Sequence, residues 1–141
     1  MIRLLAAVLL IAAPAAAQQV RDCDTWEAGA RNVVWDDPPR TFANGDIRLV
    51  ALDTGEPACC SYHLLVLFPD PEIGYQSCAL VSGASGNLGL GGISLRDAAA
   101  RYDAAVGLTV TVPIGRYDGE KAVPDTLTVT IDQALGVVTA R

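Results

Sequence analysis

From Leu108 to Ile114 the chain sets Leu108, Val110, Val112 and Ile114 alternately with Thr109, Thr111 and Pro113. From Thr126 to Ile131 it repeats the pattern, with Leu127, Val129 and Ile131 against three threonines. A period of two puts every apolar residue on one face of a strand, whereas a helix would scatter them around its axis. The β-branched content suits the same pleated, half-buried surface. Both segments adjoin a turn of one grammar: Tyr102-Asp103-Ala104-Ala105-Val106-Gly107-Leu108 and Ile131-Asp132-Gln133-Ala134-Leu135-Gly136-Val137 share an aspartate, three residues, a glycine and an apolar residue. An aspartate side chain bonds the backbone of the turn it opens, and glycine takes the positive φ that closes it, so two hairpins are predicted. Two echoes are too few for a solenoid, which needs three or more units.

The rest of the chain reads the same way. Asp46 to Leu52 forms one strand, ended by the turn at Asp53-Thr54-Gly55-Glu56-Pro57. Leu64 to Phe68 is a continuous apolar run, the mark of a central strand covered on both sides, and it stops at Pro69-Asp70-Pro71. Tyr75 to Ser82 returns as its antiparallel partner, expected to carry Cys78 back toward the strand that begins near Cys60. Arg31 to Trp35 reads as a short edge strand between punctuated loops. Ser94 to Ala105 is ambiguous. Ser94 with Asp97 resembles a helix N-cap, giving one short helix near 95–103, while the hairpin reading needs Ala99 to Tyr102 extended. Seven or eight short strands with regular turn signals predict a mostly β domain, an antiparallel sandwich or barrel, over residues 46–141. Residues 18–45 are read as an irregular N-terminal segment packed on it.

Residues 1–17 have the form of an export signal: Arg3, an apolar run from Leu4, then Pro14 and three alanines before Gln18. Leu4 to Ala17 is shorter than the roughly 20 residues that cross a hydrocarbon core. The expectation is cleavage and a periplasmic or secreted chain with no membrane span. Acids outnumber bases 16 to 10, and Lys121 is the only lysine. That balance repels phosphate backbones and anionic lipid, which excludes a dedicated nucleic-acid binder.

Export gives four cysteines a meaning. Cys23, Cys59, Cys60 and Cys78 are even in number, which in an oxidising compartment favours disulfides. Joining the neighbours Cys59 and Cys60 strains the link between them, so each is expected to reach a distant partner: one of them Cys78, the other Cys23.

Chemical motifs are sparse. Ala79 to Gly89, with Gly83, Gly86 and Gly89, resembles the strand and glycine loop that open the nucleotide-binding domain of the short-chain dehydrogenase/reductase family, which would imply a dinucleotide site. Leu90-Gly91-Gly92-Ile93 begins no amphipathic helix, however, and 52 residues remain beyond Gly89, so a loop between strands is the expected role. His63 is the only histidine; with Cys59, Cys60 and Cys78 it forms a conceivable metal or redox cluster, although a strand would turn only one of the adjacent thiols to its side. Ser85 lacks the nucleophile-elbow spacing, and Ser61 lies too close to His63 in the chain for a typical triad. The carboxylates at Asp22/Asp24, Asp36/Asp37 and Asp70/Glu72 match no calcium loop and read as turn residues. Trp26 and Trp35 sit in the irregular segment, as plugs over the core or as partner contacts. No cofactor is implied. The expectation is a small exported, non-catalytic β domain, a binding or accessory module whose partner is another exported protein or an envelope component; the alternative is the metal or redox protein.

Overall fold

The computed structural model describes residues 17–84 and 88–141, so the signal-like residues 1–16 and the tip of the glycine loop lie outside the described residues. Among the described residues ten strands form two antiparallel sheets. They are β1 (Gln19–Asp22), β2 (Arg40–Phe42), β3 (Ile47–Asp53), β4 (Tyr62–Pro69), β5 (Gln76–Ser82), β6 (Gly92–Ile93), β7 (Ala99–Asp103), β8 (Gly107–Tyr117), β9 (Ala122–Asp132) and β10 (Val137–Ala140). The first sheet runs β1-β5-β4-β3-β2; the second runs β10-β9-β8, with β6 and β7 both on the outer edge of β8. The sheets face each other and stay open at their edges, a sandwich in place of a barrel. Ten strands exceed the expected seven or eight because residues 18–45 are not wholly irregular: they supply β1 and β2 to the sheet edges.

The strand patterns explain the layering. Leu108, Val110, Val112 and Ile114 of β8 and Leu127, Val129 and Ile131 of β9 are buried against Ile47, Leu49, Leu64, Val66 and Val81 of the first sheet. Burying each such side chain contributes about 1.5 to 3 kcal/mol. The alternate threonines make the outer face of the second sheet, where Thr109 stands opposite Thr130 and Thr111 opposite Thr128. β4 is central, as its apolar run requires.

Pro113 sits in a long strand flanked on both sides, a position that normally excludes proline. Its carbonyl accepts from Ser94 N–H, so its missing N–H would have pointed to the same side, where the edge bulges out between β6 and β7. That bulge, Ser94–Ala98, is where a helix was one of the two expectations. Ser94 Oγ donates to Asp97 at 2.8 Å within a single turn, and Leu95 inserts fully into the core, so the cap-like residues close a bulge and Ala99 onward is strand. A polar clasp holds the bulge to the first sheet. Asp37 accepts from the N–H groups of Leu95 (2.6 Å) and Arg96 (3.0 Å), and Arg40 donates to the Leu95 carbonyl at 2.9 Å.

Between β1 and β2 the chain crosses the outer face of the first sheet as a strap. Single 3-10 turns at Trp26–Ala28 and Ala30–Asn32 replace most of the edge strand expected at Arg31–Trp35; only a bridge from Val33 to Leu52 survives of it. The Asn32 side chain sets this course, donating to the carbonyls of Trp26 (3.0 Å) and Glu27 (2.9 Å).

A disulfide fastens the strap, but not with the expected pairing. Cys23 bonds Cys78, and Cys59 bonds Cys60. The reason is register. β4 and β5 pair Leu64 with Val81 and Leu67 with Cys78, so Cys78 lies seven residues along β4 from Cys60, roughly 20 Å away. β1 pairs Gln19 with Ser82 and Asp22 with Ala79, and the next step sets Cys23 opposite Cys78 with 5.8 Å between Cα atoms. That leaves Cys59 and Cys60 to each other, with Cys60 at φ +69°. The two bonds differ in what they constrain: the first closes a loop with a sequence separation of 55, the second almost no chain. Cys23→Ser with Cys78→Ser should therefore lose about 4 kcal/mol of stability on the chain-entropy model, and Cys59→Ser with Cys60→Ser far less, as read by urea denaturation at neutral pH.

Candidate functional site

Four places can be weighed as a site: the cysteine and histidine cluster, the strap tryptophans, the glycine-loop end of the sandwich and its opposite, turn end. The metal or redox set is not assembled. Cys78 belongs to the strap disulfide, Cys59 and Cys60 hold each other, and His63 lies under the strap at 2% exposure. Among the described residues no group of three metal-ligating side chains comes together.

His63 shares its burial with Ser82, whose Oγ lies 2.9 Å from Nδ1. Arg21 and Glu27 form a 2.8 Å ion pair above them. The hydroxyl that meets the imidazole is that of Ser82 on β5, not that of the chain neighbour Ser61. Ser82 is fully buried, so the pair braces the strap from within and has no access for substrate. Burial, aided by the Arg21 charge, pushes the His63 pKa below the ordinary imidazole value, although Glu27 and Asp53 pull the other way. Burial opposes ionisation of Glu27 too, but hydrogen bonds, that of Arg21 foremost, outweigh it and hold its carboxyl below the usual range.

Trp26 and Trp35 are 60% and 76% exposed, so neither plugs the core. The face beneath the strap is mixed, with Leu52 and Leu80 fully buried beside His63 and Ser82, and the strap buries Glu27 and Asn32 there in place of an indole.

At the glycine-loop end the sheets part around a cleft of about 480 Å³, lined among others by Cys60, Leu90, Tyr117 and the Arg116–Asp125 ion pair. Gly83 and Gly89 of the dehydrogenase-like motif serve a different contact there. Gly89 N–H donates to the Cys60 carbonyl at 2.7 Å, and a Cβ on Gly89 would collide with the carbonyl oxygens of Cys60 and Tyr62. Gly83 N–H likewise donates to Leu88. Backbone approaches backbone where the family motif lets backbone approach phosphate, and Leu90 continues into a bridge with Tyr62 in place of a helix. The cleft's ion pair is exposed, of the kind that contributes under about 1 kcal/mol.

The turn end is different. Three hairpin turns meet there: Asp70–Tyr75 between β4 and β5, Asp103–Gly107 between β7 and β8, and Asp132–Gly136 between β9 and β10. A Cβ on Gly136 would come within 2.8 Å of Pro71 Cδ, and one on Gly107 within 3.1 Å of Asp132 Cα, so the three turns touch. Each is folded by its leading aspartate. Asp70 accepts from Glu72 and Ile73 N–H at 2.9 and 3.0 Å, Asp103 from Ala105 at 2.8 Å, and Asp132 from Ala134 and Leu135 at 3.0 and 3.1 Å. Gly107 and Gly136 take φ of +99° and +64°, the geometry their spacing predicts. These turns hold Ile73, Val106 and Leu135 outward at their tips, flanked by Tyr75, Tyr102 and Val137, and all six are exposed. Ile73 reaches 68% and Leu135 71%. Sequence reading found the turns but not their convergence, because nothing local says which hairpins share an end.

Comparison of the chain with protein-family models, with curated proteins and with solved structures gives no match. Among the described residues no helix is long and apolar enough to cross a membrane.

The buried histidine makes a testable signature. With its pKa lowered in the folded state, the unfolded chain binds the proton more readily, so stability is full above about pH 6.5 and falls as pH drops below it. Glu27 adds its own loss only below the ordinary carboxylate range. As His63 is the only histidine, His63→Asn should flatten the decline between pH 7.5 and 5 in urea midpoints, while the wild type retains it.

Proposed function

We propose that the chain is an exported, non-catalytic binding module that engages another exported protein or an envelope component, in the periplasm or outside the cell, through the turn end of its sandwich. The observation that carries this reading is the gathering at one end of six exposed, large apolar side chains, from three touching turns and the strand residues next to them. Scattered exposed apolar residues are normal on any protein, whereas a contiguous group rimmed by polar side chains marks a contact surface. Rigid strands behind short, hydrogen-bonded turns also suit recognition, since little loop entropy is lost on binding. Export is supported by the signal-like residues 1–17 and by the Cys23–Cys78 bond. Trp26 and Trp35, exposed on the strap, stand as further contact residues on the flank of the same module.

The test is site-specific photocrosslinking in the native host. A benzophenone amino acid at position 135 should yield an adduct of one discrete mass, whereas the same probe at position 120, in the β8–β9 turn at the opposite end, should not. Equal labelling from both positions, or from neither, would remove the turn end from consideration. Intact mass spectrometry of the exported chain should show its first residue after position 17.

A further inference from the structure

We propose that the partner seated on the turn end is a cationic, apolar polypeptide surface, one that presents arginine or lysine around aliphatic side chains; this rests on the reading of that end as the contact surface. The aspartates that fold the turns also ring the apolar tips. Asp70, Asp103 and Asp132 each spend Oδ1 on backbone N–H groups, and Glu72 and Asp46 stand beside them. Bonding one oxygen to the backbone fixes each of these carboxylates in place, while its second oxygen stays available. Arg48, opposite Leu67, and Arg101, opposite Thr109, are cations on the strands just behind these turns, and Arg48 Nε is turned onto the Gly45 carbonyl at 3.1 Å. The turn end is therefore an apolar centre within an anionic rim, with Tyr75 and Tyr102 offering ring faces to a guanidinium.

Charge selects among the possible occupants. A second copy docked end to end would bring two anionic rims together, and an anionic membrane would meet the same repulsion. The chain's formal net charge of −6 extends that field and steers cationic partners in. An apolar partner with a basic rim satisfies both parts of the surface at once.

The test uses the intact chain and three labelled decapeptides alternating leucine with arginine, with glutamine or with glutamate, read by fluorescence polarisation at low and high salt. Two variants report separately. Ile73→Ser with Leu135→Ser removes apolar tips. Asp70→Asn, Glu72→Gln, Asp103→Asn and Asp132→Asn together remove four charges, yet asparagine keeps the side-chain acceptor that folds each turn. Unchanged circular dichroism and melting confirm that the turns persist.

The expected result is preferential binding of the arginine peptide, weakened about 10-fold or more by either variant, with the salt dependence largely abolished in the charge variant. Loss in the tip variant alone, or equal affinity for the three peptides, overturns the charge selection while leaving the contact surface standing. Arginine-peptide binding indifferent to both variants overturns both. No binding of any peptide, self-association in sedimentation, or retention on phosphatidylglycerol vesicles overturns the cationic partner, and the position 135 crosslink then decides separately whether the contact surface survives.

Discussion

The aspartate that opens each tight turn is the constraint on which the sheets depend. Asp70, Asp103, Asp118 and Asp132 each accept one or two backbone N–H groups two or three residues on, and so fix how many residues a reversal contains. Turn length sets strand register, and a slip of one residue would send every buried valine and leucine of a strand to the solvent side. The threonine faces of β8 and β9 show that this register is held along eleven-residue strands. Backbone bonds from Lys121 and Glu120 hold the Asp118 carboxyl below its usual range, so the charge that folds the turn persists at neutral pH. The chain's acidity is thus partly architectural.

Much of the sandwich was legible because its information is local. Alternation in Leu108–Ile114 and Leu127–Ile131, the apolar run Leu64–Phe68 and the spacing of Asp103 to Gly107 each need only neighbours in sequence to be read. The disulfide pairing failed because it depends on register between distant segments. Cys60 and Cys78 look like natural partners by separation, but the hairpin between them places Cys78 opposite Leu67, and β1, hidden within a polar N-terminal stretch, brings Cys23 to it. The bulge at Ser94–Ala98 shows how one local signal can serve two structures. A serine with an acid three residues on caps a helix or closes a single turn, and the apolar pocket waiting for Leu95 decides between them.

The strap illustrates a different limit. Tryptophans in a polar segment invite the reading of a hydrophobic lid, yet the sheet face under the strap sets His63 and Ser82 among Leu52 and Leu80, and that polar pair calls for polar cover. Glu27 and Asn32 supply it, with Arg21 closing the charge balance. Arg21 is partly exposed but Glu27 is nearly covered, so removing the arginine would leave the glutamate charge without compensation. The staple from Cys23 to Cys78 therefore secures the start of the strap beside its most costly groups.

The two ends of the sandwich follow opposite rules, and that opposition bears on the site. At one end Gly89 and Gly83 let three stretches of backbone close on each other, so the chain there is occupied with itself. At the other, the hydrogen bonds that shape the turns point inward to the aspartates, and side chains at the tips have no element left to pack on. Ile73, Val106 and Leu135 stay exposed while Asp70, Asp103 and Asp132 bond their turns. The residues that specify the fold at this end thus also hold apolar side chains out from it, with no described element packed over them.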